Sequence, residues 1–139
     1  MQRPNLIHDI MKIDSIEKAR QYVEKAEMIL EERGQLDEEI QHYENKKSVR
    51  KAGRMLWYGV LIALDAVFDV REDRRTKVKI EEYLDSIAQR DEALARVFDC
   101  GGDIIWVYMA YDGIQSKPVC DEGIRLANVI IDRCANMLE

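Results

Sequence analysis

Apolar residues recur three and four positions apart through most of the chain, which is the spacing of one helix face. The first such stripe consists of Ile16, Ala19, Val23, Ala26 and Leu30. Asp14 and Ser15 precede it and are typical capping residues, so the pattern predicts a helix that begins at Ile16. Gly34 follows the stripe and is a natural helix end. Residues 36–43 hold the helical pair Leu36 and Ile40 and are predicted as a short helix or as a helical approach to the next helix.

The segment 52–68 carries the longest apolar stretch, and Met55 to Leu64 holds no charged residue. A helix here is apolar on every side, and such a helix has to be enclosed by others. We therefore predict a buried central helix from about Lys46 to Val70, with Leu56, Val60 and Leu64 away from solvent. The ten uncharged residues are about half of what crosses a bilayer.

Two further apolar patterns follow the charged connector 71–75. Thr76 is predicted to cap a helix whose apolar face holds Ile80, Tyr83, Leu84 and Ile87. Another pattern starts at Asp91 and is interrupted by Gly101-Gly102. Two glycines inside a helix cost about 2 kcal/mol relative to alanine, which indicates either a close helix crossing or a kink.

The last pattern begins beyond Gly113, which is predicted to end the preceding helix. Pro118 stands where a first helical turn tolerates proline. The apolar stripe of this final helix consists of Gly123, Ala127, Ile130, Cys134 and Met137. The fold class predicted is all-α, a four-to-five-helix up-down bundle with a buried central helix. We expect one domain over 15–139, preceded by an N-terminal arm over 1–14.

Composition agrees with a helical domain and narrows the classes of partner. The 139 residues suit one domain, and only 7 glycines and 2 prolines interrupt helical residue types. The net charge of −6 does not suggest a nucleic-acid coat or an anionic membrane as partner of the whole chain. The three cysteines form no Cys-x-x-Cys pair, which is typical of reduced thiols in a cytoplasmic protein. We expect them to be mostly buried.

The sequence assembles no recognisable catalytic or metal-binding set. His8 and His42 are the only histidines, and the single Glu-x-x-His match, Glu39 to His42, lies on a polar segment. Neither a Gly-x-Ser-x-Gly motif nor a phosphate-binding Gly-rich loop occurs. The cysteines have no nearby histidine to withdraw a proton. We therefore predict no catalytic residue, no metal and no cofactor.

A basic face is the first of two candidate sites. Lys47, Arg50, Lys51 and Arg54 lie three and four residues apart on one side of the central helix. Such a stripe could grip phosphates. The alternative is that acidic residues of the preceding antiparallel helix neutralise it, namely Glu27, Glu31 and Glu32.

The second candidate is a set of acidic residues among apolar ones, Asp65, Asp99 and Asp103. A buried carboxylate needs a partner or has to face water. Candidate partners are Arg54 for Asp99 or Asp103, and Tyr58 or Tyr108 for Asp65. We predict a buried polar network of Asp65, Asp99, Asp103, Tyr58 and Tyr108, which either fixes helix register or marks a site. A third interpretation is a small-molecule pocket lined by Trp57, Tyr58, Trp106, Tyr108 and Tyr111.

Four sequence stretches resemble a known superfamily. They are Ala19-Arg-x-Tyr22 with Ala26, Val49-Arg-x-Ala-Gly-Arg-x-x-Trp-Tyr58, Tyr111-Asp-Gly113 and Gly123-Ile-x-x-Ala127. In this layout the chain resembles the HEPN-like superfamily of small bacterial helical bundles, and within it families without an assigned activity. The resemblance runs from Ser15 to the end. It implies a helical bundle that often forms dimers. Many members are metal-independent RNases, including toxins paired with small nucleotidyltransferases, and others are non-catalytic binding modules.

The RNase members use Arg-x(4–6)-His near the start of a late helix, and this chain departs from that pattern. Counted from Arg96, the histidine positions hold Gly101, Gly102 and Asp103, and counted from Arg125 they hold Ile130, Ile131 and Asp132. The letters match only from Arg3 to His8, before the first predicted helix, which we interpret as chance.

The leading functional hypothesis is therefore a non-catalytic, HEPN-like interaction module that forms a homodimer or binds a protein partner. The alternative is a nucleotide- or RNA-binding protein that uses the basic face. A membrane partner is not expected.

Overall fold

The computed structural model describes residues 6–68 and 80–139, without the side chain of His8. In chain order the elements are α1 (Leu6–Arg33), β1 (Leu36–Asp37), β2 (His42–Tyr43), α2 (Lys46–Phe68), α3 (Ile80–Ala88), α4 (Glu92–Gly101), a π-helix (Gly102–Tyr111) and α5 (Lys117–Met137). The fold is an all-α bundle with one two-stranded hairpin among these residues, so the predicted fold class is confirmed.

Helix α1 is longer at its start than predicted. It begins at Leu6, so the predicted start at Ile16 is wrong. Ser15 does not cap the helix, because it lies inside α1 and its hydroxyl donates a hydrogen bond of 2.9 Å to the carbonyl of Met11. The predicted end before Gly34 is confirmed, and the predicted apolar stripe from Ile16 to Leu30 is buried.

The segment 36–43 forms a β-hairpin rather than the predicted helix. Leu36 pairs with Tyr43 and Asp37 pairs with His42 in antiparallel register. The hairpin docks on the segment before α5, where the amide of Tyr43 donates to the carbonyl of Gln115 at 2.7 Å. Sequence periodicity fails here because each strand is only two residues long.

Helix α2 is the central helix and contacts α1, α5 and the π-helix. Leu56, Val60 and Leu64 are completely buried, as predicted. Its enclosure is incomplete, however, because Tyr58 is 44% exposed and marks a side of α2 that the described residues leave uncovered. The predicted end at Val70, the connector 71–75 and the Thr76 cap lie outside the described residues.

Two glycines of α2 allow the close approach of neighbouring helices. A Cβ built on Gly53 would lie 2.6 Å from the amide nitrogen of Ala110 in the π-helix. A Cβ built on Gly59 would lie 2.8 Å from the carbonyl oxygen of Ala19 in α1. Side chains at either position would force the helices apart.

The glycine pair 101–102 marks a change of helix type. Helix α4 passes directly into the π-helix at Gly102, and the amide of Asp112 donates to the carbonyl of Val107, five residues earlier. A Cβ at Gly102 would have its nearest contact at an ordinary 3.6 Å from Trp57. A Cβ at Gly101 would lie 3.4 Å from Cδ1 of Ile130 in α5, which is also a side-chain contact. Neither glycine therefore lies at a close backbone crossing, and the pair instead lies where the helix geometry changes.

The remaining helices begin and end largely where the sequence predicts. Asp91 caps α4 by accepting from the amide of Leu94, and Ser116 caps α5. Gly113 has φ +62° and turns the chain after the π-helix. In α3, Tyr83 and Ile87 are buried, whereas Ile80 is exposed. None of the described helices has the length and apolarity needed to cross a membrane.

Candidate functional site

The basic face lies on the solvent side of α2, as its spacing predicts. Lys47, Lys51 and Arg54 are exposed and Arg50 is half-buried. Within the described ranges, none of the four side chains forms an ion pair within 4.0 Å. The acidic residues considered as neutralising partners, Glu27, Glu31 and Glu32, make no such pair either.

Arg50 has the most constrained position on this face. Its stem packs against the turn at Gly113, where an added Cβ would lie 2.9 Å from its Cγ. Its Nε is buried and has no hydrogen-bond partner among the described residues. Because solvent does not reach this nitrogen and it packs on the turn at Gly113, Nε does not itself face an anion in solution.

The predicted buried polar network is wrong, because its members do not share a buried environment. Asp99 and Asp103 are exposed, and so are Tyr58 and Tyr108. Asp65 is half-buried and accepts a hydrogen bond of 2.6 Å from the hydroxyl of Tyr83. The two tyrosines proposed as its partners are therefore replaced by one from α3, which sequence spacing could not identify.

The five aromatic residues proposed as a pocket lining do not share one buried environment in the described part of the chain. Trp57 is buried and stacks between Phe98, at 5.3 Å between ring centroids, and Trp106, at 6.1 Å. The other four residues, Tyr58, Trp106, Tyr108 and Tyr111, are exposed on the surface. The burial of these residues therefore gives the aromatic pocket interpretation no support.

A pocket, which we call the hairpin pocket, lies at the end of the bundle that carries the hairpin. Its volume is about 540 Å³. Three structural units line it: the second half of α1, the hairpin, and the first turns of α5. The lining residues are Glu27, Leu30, Glu31, Leu36, Glu38, Tyr43, Lys117, Asp121 and Ile124. Sequence reasoning missed this site because the hairpin that completes it was predicted as a helix.

Tyr43 is the most deeply placed polar residue of this pocket. It is only 7% exposed, and its ring packs on Gly34, where a Cβ would lie 2.6 Å from Cδ1. Burial is the main cause that raises the pKa of its hydroxyl, and the negative charges of Asp121 and Glu31 raise it further. The hydroxyl makes no hydrogen bond to any described group.

A second unpredicted surface lies on the first turns of α1. Five large apolar side chains there are more than half exposed, with Leu6 and Ile7 both at 71%. We call this surface the α1 apolar face; its members are Leu6, Ile7, Ile10, Met11 and Ile13.

Two of the three cysteine thiols are buried. Burial raises the pKa of Cys120 and of Cys134 to about 12, so neither is a thiolate near neutral pH. Cys100 is exposed, and all three cysteines are free. The prediction of mostly buried thiols is thus confirmed. In the described part of the chain, no group of three or more His, Cys, Asp or Glu side chains could hold a metal ion.

Comparison with known proteins identifies a family and a solved structure of the same fold. The family described as "Domain of unknown function (DUF5618)" matches residues 14–136. A solved structure of a protein of unknown function from Dyadobacter fermentans is 27% identical, with a TM-score of 0.82. The match covers 92% of this chain and 98% of that one. None of the curated proteins matches.

Proposed function

We propose that this chain, which belongs to the DUF5618 family, is a helical interaction module that self-associates through the α1 apolar face. The observation that supports this proposal is the direction of that face. At roughly 100° per residue, the five side chains of this face are together centred about 170° around α1 from the centre of the buried stripe. That stripe consists of Ile16, Ala19, Val23, Ala26 and Leu30. The described part of the bundle therefore leaves the α1 apolar face uncovered, and exposed apolar patches of this kind mark interaction sites.

The size of the α1 apolar face fits a reversible dimer. Each of its five side chains offers roughly 100 Å², since burying one contributes about 1.5–3 kcal/mol at about 25 cal/mol per Å². A symmetrical pair of α1 helices then buries about 1,000 Å² in total, which is at the low end for specific interfaces. The cost of association, about 4–15 kcal/mol, offsets much of the gain. We therefore expect a dimer that dissociates on dilution.

The test is the molar mass as a function of protein concentration, measured by sedimentation velocity. Wild type should pass from monomer to dimer, and Ile10→Glu should remain monomeric at concentrations where wild type is dimeric. Met28→Glu is the matched control, because Met28 is also an exposed apolar residue of α1 but lies outside the apolar face. A wild type that stays monomeric throughout, or equal loss of dimer in both variants, would contradict the proposal.

An anion-binding role of the basic face is the second candidate function. It is supported by four basic side chains that form no ion pair within the described residues, three of which are exposed. The ligand would be RNA or a nucleotide, bound through phosphates. Because the late helices lack the Arg-x(4–6)-His pattern, the proposal is binding without cleavage.

Binding of a labelled single-stranded RNA, followed by anisotropy at increasing salt, tests this candidate. Affinity should fall steeply with salt, because phosphate contacts release counterions. Lys51→Glu/Arg54→Glu should abolish it, whereas Lys18→Glu/Lys25→Glu, the same charge change on α1, should weaken it far less. Salt-independent binding, or equal effects of the two double variants, would exclude the basic face.

The finer assignments of the sequence stay proposals. The HEPN-like relationship is supported by the helical bundle and its central helix. Of the Arg3-to-His8 match, the structure describes only the helical backbone from Leu6 onward. A separate arm over 1–14 and a domain over 15–139 are predictions, and α1 runs through the boundary between them. The cytoplasmic location and the bacterial source of the protein are likewise predictions.

A further inference from the structure

The hairpin pocket carries an excess of negative charge that its own residues do not neutralise. Four carboxylates line it against one ammonium, that of Lys117, which lies 2.7 Å from Asp121. Glu27, Glu31 and Glu38 form no ion pair within the described ranges. The pocket thus has the charge of a cation site.

Tyr43 provides an independent indication of a ligand. More than nine-tenths of this residue is buried, it lines the pocket, and its hydroxyl has no hydrogen-bond partner among the described groups. Among the described residues the hydroxyl of Tyr43 is not one of the buried polar atoms that lack a partner, so water reaches it from the pocket. A ligand group in the pocket would take the place of that water and hydrogen-bond to the hydroxyl.

The backbone that presents Tyr43 is held in an uncommon conformation. Gln35 and Gln41, which flank the two strands, have φ of +56° and +52°. Non-glycine residues seldom adopt this region, and such positions cluster at ligand sites. Contacts with Gly34 on one side and with the segment before α5 on the other hold the hairpin in this conformation.

The rest of the lining defines the shape of the cation. Leu30, Leu36 and Ile124 are apolar and suit a methylene chain. Glu27 and Glu31 are four residues apart, so their carboxylates lie on the same side of α1. The volume of about 540 Å³ is in the range of small-molecule sites.

We propose that the hairpin pocket binds a primary alkylammonium group. Its methylene chain would lie on Leu30, Leu36 and Ile124, and its three N–H donors would reach the carboxylates and the Tyr43 hydroxyl. Two sources present this chemistry: a free aliphatic diamine and a lysine side chain. The pocket lies about 25 Å along α1 from Ile10, so this site is separate from the α1 apolar face.

Isothermal titration calorimetry of the full chain tests the proposal with two amines, cadaverine and N-acetyl-lysine methylamide. At least one should bind, with affinity that falls as salt is added. The uncharged diol that matches cadaverine should not bind. Tighter binding of cadaverine would identify a free diamine as the source, and tighter binding of the lysine derivative would identify a peptide.

Single-residue variants separate this site from general charge effects. Tyr43→Phe keeps the ring and should weaken binding about tenfold, the value of one hydrogen bond to a charged group. Glu31→Gln should also weaken it, whereas Glu17→Gln, the same change at an exposed position of α1 outside the pocket, should not. Absence of binding by both amines, or equal affinities in all variants, would overturn the proposal. If Tyr43→Phe fails to fold, the comparison of Glu31→Gln with Glu17→Gln decides.

Discussion

Replacing Gly53 by alanine should destabilise the fold by separating α2 from the π-helix. The added Cβ would lie 2.6 Å from the amide nitrogen of Ala110, 2.9 Å from its Cα and 2.8 Å from the Cβ of Met109. Two of these three atoms belong to the backbone, so no side-chain rotation relieves the overlap. The two helices have to move apart along their shared contact.

The expected size follows from two opposing effects. Forcing a methyl group into a filled contact costs about 3 kcal/mol, the upper end for overpacking, because backbone atoms have to shift. Alanine is the better helix former by about 1 kcal/mol. We therefore expect Gly53→Ala to lower the free energy of unfolding by about 2 kcal/mol.

Gly102→Ala is the matched control. Its Cβ would lie 3.6 Å from Trp57, an ordinary contact, and Gly102 already has helical dihedral angles. This variant should therefore be unchanged or more stable by up to about 1 kcal/mol. Urea unfolding followed by far-ultraviolet circular dichroism gives both values. A Gly53→Ala variant as stable as wild type, or shifts of equal sign and size in the two variants, would refute the close-approach argument.

Two further predictions concern α4 and the cysteines. Asp91→Ala should cost about 1–2 kcal/mol in urea unfolding, because it removes both the helix cap and the ion pair with Arg133. Hydrogen bonds from Arg133 hold the pKa of Asp91 below its ordinary value. The stabilisation by Asp91 is therefore present above the ordinary carboxyl pKa and is lost as the pH falls through the lowered pKa. The Asp91→Asn variant should not show this loss of stability at low pH. A thiol reagent at neutral pH should label Cys100 rapidly, and Cys120 and Cys134 only after unfolding; rapid labelling of all three would contradict their burial.

The core of the bundle was predictable because burial follows helical spacing. The stripe of α1 and the enclosed residues of α2 are set by a 3.6-residue period that needs no knowledge of the partners. The sequence also indicated that Gly101-Gly102 lowers helix stability. It did not show whether a close helix crossing or a change of helix geometry accounts for the two glycines. The close approaches at Gly53 and Gly59 depend on which helix lies opposite, and that is tertiary information.

The hairpin could not be predicted, and the pocket depends on it. Its turns use Gln35 and Gln41 at positive φ instead of the usual glycine or asparagine, so no turn signal exists. Leu36 and Ile40 imitate a helical pair, although the strands are held by pairing and by the contact with Gln115. The carboxylates of the pocket come from α1, the hairpin and α5, and only the folded chain brings them together.

The four residues of the basic face lie on one side of α2, as their spacing indicates, but the sequence does not show whether acidic side chains pair with them. Their position near the start of α2 affects the stability of that helix. Lys46 and Lys47 open α2, whose first turn contains no acidic residue. Positive side chains there oppose the helix dipole by about 0.3–1 kcal/mol each. The helix forms because its apolar half is enclosed and because Asn45 accepts from the amide of Ser48. A phosphate at this end would remove the repulsion, satisfy the helix dipole and supply an acceptor for Arg50. Anion binding should therefore stabilise the fold, and raised stability in phosphate relative to chloride at equal ionic strength would support the second candidate function.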